Sequence, residues 1–170
     1  MSVDLAPSGP RAAAAPGPEQ MRRVMRRHAA GVTVITLPGP AGFTASSFTS
    51  VSLDPPLVSF CLGLTSSSAA RLRVGAPFAV HLLGAEHAEL ARRFARRGTD
   101  RFSGLRWVPG EGGVPLIEDA GARIEAEVVL LREVGDHVLA VGRVVRTGGR
   151  PGLSALVHHD GAFASATPLD

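Results

Sequence analysis

The chain of 170 residues has no tyrosine, and because all 18 of its basic residues are arginine it has no lysine either. Without lysine, a phosphate-binding P-loop of the usual form cannot exist. The single cysteine, Cys61, excludes an intramolecular disulfide and gives no metal-ligand cluster. We therefore expect a reducing compartment and, because Cys61 lies in an apolar run, a buried and inert thiol.

Long apolar runs are also missing. No run approaches the roughly 20 residues that a membrane-spanning helix needs. The N-terminus lacks the continuous hydrophobic core of a signal peptide. These absences predict a soluble, cytoplasmic protein that has no membrane partner.

Several catalytic motifs are absent as well. No G-x-G-x-x-G follows a strand pattern and no G-x-S-x-G nucleophile elbow occurs, so a Rossmann site and triad hydrolysis are unsupported. The six histidines lack the close spacing to cysteine or carboxylate that a zinc site needs, and we expect no metal. The net charge is only +3, and the arginine pairs have no nucleic-acid motif beside them. They predict a solvated helix face and no nucleic-acid partner.

The composition that is present, 45% hydrophobic and 19% charged, is typical of a folded globular domain. Residues 1–18 are rich in alanine, proline and glycine, and we interpret them as a disordered tail. The remainder, residues 19–170, has the length of a single domain.

Hydrophobic periodicity predicts two amphipathic helices, at residues 19–30 and 86–97, and a short helix after the hydroxyl residues Thr65, Ser66, Ser67 and Ser68. Alternating or β-branched runs predict strands at 32–36, 43–51, 57–62, 78–83, 122–133 and 137–147, with a last hairpin at 156–166. Strands outnumber helices and no βαβ alternation occurs. The sequence predicts a mainly β protein, a closed or nearly closed antiparallel barrel with peripheral helices.

The stretch Gly42–Leu62 is unusually rich in hydroxyl groups, which occur at Thr44, Ser46, Ser47, Thr49, Ser50 and Ser52. Hydroxyls and backbone N–H groups donate hydrogen bonds without a counter-charge, so this stretch and the serines at 65–68 are suited to phosphate and carbonyl oxygens. The alternative is an ordinary serine-rich turn. Periodicity therefore permits a phosphorylated cofactor without identifying it.

The residues of five segments, and their order along the chain, resemble those of the short-chain flavin reductase family. Members of this family are the small reductase components of two-component flavin-dependent monooxygenases. The segments are Ala30–Thr36, Gly42–Val58 with its Ser-Leu-Asp-Pro-Pro, Phe78–Leu83, Leu90–Phe94, and Gly135-Asp-His137 followed by Val141–Val144. The resemblance extends over about residues 20–165. It implies an FMN-binding split barrel of Greek-key type, assembled as a homodimer with FMN near the subunit interface.

The same resemblance implies NAD(P)H-dependent reduction of FMN, with FAD as a possible substitute and NADH or NADPH as the reductant. The reduced flavin would then serve a separate oxygenase. By position, the flavin contacts would be Thr44, Ala45, Ser46, Ser47, Ser52, Leu53, Cys61, Leu62 and Phe94, with Ser66, Ser67, Ser68 and Arg101 at the phosphate. His137 would be the catalytic residue that positions the nicotinamide.

One segment departs from the family pattern. Relatives commonly have tyrosines near the C-terminus, whereas this chain has His158-His159-Asp160-Gly161-Ala162-Phe163. Three alternatives to a flavin reductase stay open: a flavoenzyme that retains FMN and acts on an organic substrate, a non-catalytic flavin-binding protein, and a nucleic-acid binder that uses the arginine pairs.

Overall fold

The computed structural model describes residues 15–150 and 152–169, where antiparallel strands dominate. The α-helices in this part are α1 (Pro18–Met25) and α2 (Ala88–Ala95), and single 3-10 turns lie at Ala69–Arg71, Ala85–His87 and Glu111–Gly113. The strands are β1 (Ala30–Gly31), β2 (Thr33–Leu37), β3 (Ala41–Ala45), β4 (Thr49–Leu53), β5 (Pro56–Gly63), β6 (Pro77–Leu82), β7 (Trp107–Pro109), β8 (Pro115–Ile117), β9 (Ala122–Val134), β10 (His137–Gly149), β11 (Leu156–His159) and β12 (Ala162–Ser165). The predicted mainly β architecture with peripheral helices is confirmed. Most of the predicted tail, residues 1–14, lies outside the described residues.

Seven strands form the central sheet in the order β3-β2-β6-β9-β10-β5-β4, and each neighbouring pair is antiparallel. β3 and β4 are the two edges, so the sheet is open and the predicted closure into a barrel is not observed. The chain leaves β3 after Ala45, and β4 then pairs with β5 across the Asp54-Pro55 turn. The expected pairing of residues 43–51 with residues 32–36 is therefore right only for Ala41–Ala45.

The larger core cluster packs on the central sheet around Phe60, which is fully buried in β5. Its ring centroid lies 5.7 Å from that of Phe43 in β3 and 5.3 Å from that of Phe78 in β6. Such tilted and edge-to-face contacts are the favoured arrangements of aromatic rings. They fix the position of β3 relative to β5, two strands that share no ladder of hydrogen bonds.

A second core cluster lies beneath helix α2, whose Ala91 and Phe94 are buried. Phe94 meets Phe102 edge to face with ring centroids 5.1 Å apart, and Trp107 lies 6.1 Å beyond Phe102. Trp107 is half-buried and packs at the border of this cluster. Helix α2 thereby shares an apolar cluster with Val34 of β2 and Ile117 of β8.

Helix α1 is shorter than predicted and has no buried residue. It ends at Met25 because Ala30 already belongs to β1, which pairs with β11. Arg26 ties this region to the β11–β12 hairpin through an ion pair with Asp160, Nε to Oδ1 3.1 Å. No helix among the described residues combines the length and the apolar character that a membrane crossing requires.

Candidate functional site

A cavity of about 340 Å³ opens between β3, the end of β5, the loop after β5 and the end of helix α2. Its lining consists of Phe43, Thr44, Leu62, Thr65, Ser66, Ser67, Phe94, Ala95, Arg97, Gly98 and Arg101. Residues from three distant parts of the sequence, 43–44, 62–67 and 94–101, therefore meet here. The structure brings together six of the predicted site residues: Thr44, Leu62, Ser66, Ser67, Phe94 and Arg101.

One wall of the cavity is apolar and rigid. Phe43 and Leu62 are buried in the larger core, and Phe94 is buried in the cluster beneath α2. Gly42 allows β3 and α2 to approach, since a Cβ at that position would lie 2.9 Å from Cε1 of Phe94. Side chains that are locked by core packing on two sides make a preformed surface for a flat apolar group.

The opposite wall is the serine loop, residues 64–68. The Ser66 N–H donates to the Gly63 carbonyl at 2.9 Å, and the Ser68 N–H donates to Ser66 Oγ at 3.3 Å. Within residues 15–150 and 152–169, no intramolecular hydrogen bond uses the N–H of Thr65 or Ser67. Amides and hydroxyls of this loop are consequently free to donate to an anion.

Two features of this loop bear on the predicted phosphate contacts. The segment after it forms a single 3-10 turn, Ala69–Arg71, because Leu72 returns to extended backbone, so no α-helix N-terminus faces the cavity. Ser68 is buried with 2% of its surface exposed, and it lies outside the cavity lining. The loop's contribution to the lining comes from Thr65, Ser66 and Ser67.

Arg101 is held firmly by main-chain oxygens. Its Nη1 donates to the Gly42 carbonyl at 2.9 Å, while Nε and Nη2 both donate to the Arg96 carbonyl, at 3.0 and 2.5 Å. The guanidinium therefore joins β3 to the chain that follows α2. Because a guanidinium carries five N–H donors, two remain for a ligand.

The Thr44 hydroxyl is also engaged. Thr44 Oγ1 donates to the Ala91 carbonyl at 2.6 Å, which anchors α2 to β3 across the cavity floor. Its proton is used in this bond, so Thr44 can offer a ligand only its lone pairs. Thr44 is thus both a lining residue and a structural contact between two elements.

The other residues predicted around the hydroxyl-rich stretch lie outside the cavity lining. Ser47 Oγ accepts from the Cys61 N–H at 2.9 Å and donates to the Cys61 carbonyl at 3.2 Å. The Ser47 hydroxyl thus forms the two hydrogen bonds that a neighbouring strand would otherwise form with the backbone of Cys61 in β5. Cys61 is half-buried, whereas the sequence predicted a buried thiol. Ala45 is buried, Ser46 is exposed, and Ser52 and Leu53 lie on edge strand β4.

His137 begins β10 directly opposite Gly63, the residue that precedes the serine loop. The Asp136 carbonyl accepts from the Leu64 N–H at 3.0 Å, so the hairpin turn and the serine loop are joined. His137 Nδ1 lies 2.7 Å from Asp136 Oδ1, and this hydrogen bond is the main cause of the lowered pKa of Asp136. His137 stands near the rim, outside the cavity lining.

The C-terminal segment that departs from the family pattern, residues 158–163, lies in the β11–β12 hairpin. His158 and Phe163 face each other across it, with ring centroids 5.9 Å apart at 77°, and the Arg92 guanidinium carbon lies 5.3 Å from the Phe163 centroid. These three side chains border a separate cavity of about 380 Å³. The hairpin thus presents an aromatic ring even without tyrosine.

One histidine is plainly structural. His81 in β6 is buried, and its Nε2 lies 3.4 Å from Thr36 Oγ1, which donates to the Pro115 carbonyl at 2.7 Å. Burial, assisted by the nearby Arg123 charge, lowers the pKa of His81 to about 4. Within the described residues, no group of three or more histidine, cysteine or carboxylate side chains is placed to hold a metal ion.

Residues 25–167 match the family described as flavin reductase like domain. The chain belongs to the flavin reductase family. It is 42% identical over 156 residues to the NADH:FMN oxidoreductase of Rhodococcus erythropolis, a match that covers 87% of this chain and 81% of that protein.

Two solved flavin reductase structures have the same fold. The NADH:FAD oxidoreductase of Streptomyces globisporus, in complex with NAD and FAD fragments, is 39% identical with a TM-score of 0.82, and the match covers 92% of this chain and 98% of that one. The flavin reductase component of a bacterial two-component tryptophan halogenase is 34% identical with a TM-score of 0.80, covering 90% and 100% of the two chains. The resemblance stated from the sequence is confirmed.

The structure of this flavin reductase adds lining residues that the sequence did not single out. Phe43 and Thr65 are direct neighbours of predicted residues, so their proximity in sequence was an available signal. Arg97 lies in an arginine pair that was interpreted as part of a solvated face. Only the turn of the chain after α2, which places residues 97–101 against β3, shows that Arg97 lines the cavity.

Proposed function

We propose that this chain catalyses NADH-dependent reduction of FMN and releases the reduced flavin to a separate flavin-dependent oxygenase. FAD and NADPH are the alternative partners within the same reaction. The observation that carries the proposal is the cavity, which joins an apolar wall to a wall of hydroxyl and guanidinium donors with no carboxylate in its lining. FMN has the matching halves, a flat ring system and an anionic phosphate.

The names of the relatives support this reaction. One is an NADH:FMN oxidoreductase, one was solved with NAD and FAD fragments, and one is the flavin reductase component of a tryptophan halogenase. All three names include a flavin and the first two, at 42% and 39% identity, include NADH or NAD, which favours the same two ligands for this chain. Genomic neighbours that encode an oxygenase would identify the partner.

In the proposed site, Phe43, Leu62 and Phe94 hold the flavin ring, and Ser66 and Ser67 donate to the phosphate. Thr44 and, outside the lining, Ala45, Ser46, Ser47 and Cys61 would follow the ring edge and the ribityl chain, and Ser52 and Leu53 on edge strand β4 would contact flavin in the proposed dimer. Ser68 would act through its bond to Ser66. This placement keeps the residues of the sequence prediction, with Ser68 and Arg101 moved from direct contact to support.

A bound FMN would supply the acceptor for the hydride that the nicotinamide donates. The chain's task is orientation and exclusion of water, so no acid–base side chain is strictly required. His137 is proposed to position the nicotinamide. Its Nδ1 is engaged by Asp136, which leaves Nε2 as the nitrogen available to a ligand.

We further propose a homodimeric split barrel of Greek-key type in the cytoplasm. Support comes from apolar side chains that one protomer leaves exposed: Leu53 at 89%, Val24 at 64%, and Met21 and Val51 at 52% each. A second copy that covered Leu53 on β4 would bring this predicted flavin contact into a buried site. Light scattering on the purified protein gives the mass directly, and a monomer at micromolar concentration contradicts the dimer.

The reaction is tested by steady-state assays that combine each nicotinamide, NADH and NADPH, with each flavin, FMN and FAD. An absorbance spectrum of the purified protein is recorded first, because retained flavin would favour the enzyme that keeps FMN and acts on an organic substrate. We expect NADH oxidation that depends on added FMN. No oxidation of either nicotinamide with either flavin would contradict the proposed function.

A further inference from the structure

The two arginines that line the cavity differ in how they are held. Arg101 donates three hydrogen bonds to the carbonyls of Gly42 and Arg96. Arg97 is exposed and, in the part of the chain that the structure describes, makes neither an ion pair nor a side-chain hydrogen bond. The neighbouring arginines of α2 are satisfied, Arg92 by Glu89 at 3.3 Å and Arg93 by the Ser103 carbonyl at 2.9 Å.

The charge of Arg97 is uncompensated within the cavity, since no aspartate or glutamate belongs to the lining. A concave site with one sign of charge attracts counter-ions more strongly than a flat surface. The hydroxyls of Thr65, Ser66 and Ser67 border the same space. A guanidinium and hydroxyl donors around one volume form the arrangement that recognises a phosphate group.

We propose that Arg97 binds the phosphate of FMN and thereby makes this chain prefer FMN to riboflavin. The inference rests on the proposed function only in placing a flavin in the cavity. Arg101 is a positioning residue: by bridging β3 to the Arg96 carbonyl, it holds the segment that carries Arg97 at the cavity mouth. The two arginines therefore have separable roles.

The test is a binding titration without nicotinamide, so that it does not depend on catalysis. FMN and riboflavin are each titrated against the wild type, R97Q and R97K, with flavin fluorescence as the readout. R106Q is the matched control, since it removes the same charge from an exposed arginine that is paired with Glu118 and Asp119 outside the cavity. Thermal unfolding of each variant shows that the fold is retained.

We expect R97Q to raise the Kd for FMN about tenfold, the equivalent of about 1.4 kcal/mol. The Kd for riboflavin should change by less than about twofold, because riboflavin has no phosphate for the guanidinium to bind. R97K should recover part of the FMN affinity, and R106Q should alter neither ligand. R101Q, by contrast, should weaken the binding of both flavins, because it removes the hydrogen bonds that hold the segment carrying Arg97 against β3.

The salt dependence of FMN binding is a second measurement that does not need riboflavin. Wild-type affinity should fall between about 50 mM and about 500 mM salt, and R97Q should show a flatter dependence, since one screened ionic contact is gone. The proposal would be overturned if R97Q weakened the binding of FMN and of riboflavin equally, or if it left FMN binding unchanged. An effect of R97Q that is confined to the KM for NADH or NADPH would also overturn it. If FMN binds as expected but NADH is not oxidised, the proposed reaction fails while this inference stands.

Discussion

Gly42 of β3 lies so close to Phe94 of α2 that an added methyl group would meet the Phe94 ring at 2.9 Å and the Ile35 carbonyl oxygen at 2.7 Å. Both contacts are closer than a real Cβ tolerates. The backbone at Ile35 cannot yield without breaking the β2–β3 pairing, so Phe94 must move. The glycine therefore sets the width of the cavity at its apolar wall.

We predict that G42A lowers the free energy of unfolding by about 1–3 kcal/mol, the usual cost of overpacking, and weakens FMN binding. Denaturant unfolding and FMN titration measure the two effects. The control is G31A, because a Cβ at Gly31 has no neighbour within 4 Å. A G42A protein that is as stable as G31A and binds FMN like the wild type would show that Phe94 does not define the cavity.

A second prediction concerns Ser47, whose hydroxyl bonds both the N–H and the carbonyl of Cys61. S47A leaves two backbone groups of β5 without these partners, and we expect a loss of about 1–2 kcal/mol of stability. S46A is the matched control, since Ser46 is the exposed neighbour. Chemical denaturation measures the free energy of unfolding of both variants. Equal values for S47A and S46A would contradict the prediction and mean that water replaces the Ser47 hydrogen bonds without loss of stability.

A third prediction follows from the buried His81. Its pKa is about 4 in the folded chain against an ordinary value of 6.5, so the unfolded chain binds a proton that the folded chain does not between these values. Stability is then complete above pH 6.5 and falls as the pH drops toward 4, by about 3 kcal/mol in total. The measurement is unfolding free energy against pH.

H81L removes the group, and we expect a flatter pH profile between the same limits, whatever its absolute stability. H159Q, at an exposed position, should keep the wild-type slope. An H81L profile with the full wild-type slope would assign the acid sensitivity to other groups.

A fourth prediction separates binding from turnover at His137. Because His137 stands at the rim and not in the lining, H137A should leave the Kd for FMN within about twofold of the wild type. The kcat/KM for NADH should fall by about 10- to 100-fold, the range expected when a positioning group is lost. D136N tests the hydrogen bond to Nδ1 and should give a smaller decrease. If H137A weakens FMN and leaves NADH kinetics intact, the residue serves the flavin instead.

Much of the fold was predictable because the strands carry local signals. β2 is β-branched, β9 alternates, and the Gly135-Asp136 turn marks the β9–β10 hairpin that the structure contains. The sequence did not predict which strand β4 pairs with. β4 pairs with β5 because the Asp54-Pro55 turn folds the chain back on itself, Leu53 opposite Pro56, whereas the prediction placed residues 43–51 against the preceding strand.

The site was predictable in part for the same reason. Hydroxyls and the family segments pointed to Thr44, Ser66 and Ser67, and the cavity contains all three. Arg97 was missed because its identity as a lining residue depends on the turn after α2, where Arg101 draws the chain back to the Gly42 carbonyl. The hydrogen bond from Arg101 to the Gly42 carbonyl joins the segment after α2 to β3, and the cavity lining includes Arg97 of that segment.

The most direct test of the central claim is anaerobic reduction of a large excess of FMN by NADH with a small amount of the protein. Loss of the visible flavin band is followed over time. We predict that many equivalents of FMN are reduced per chain, because the flavin exchanges and leaves as product. Reduction that stops at one equivalent per chain, or no reduction above the rate without protein, would contradict a free-flavin reductase.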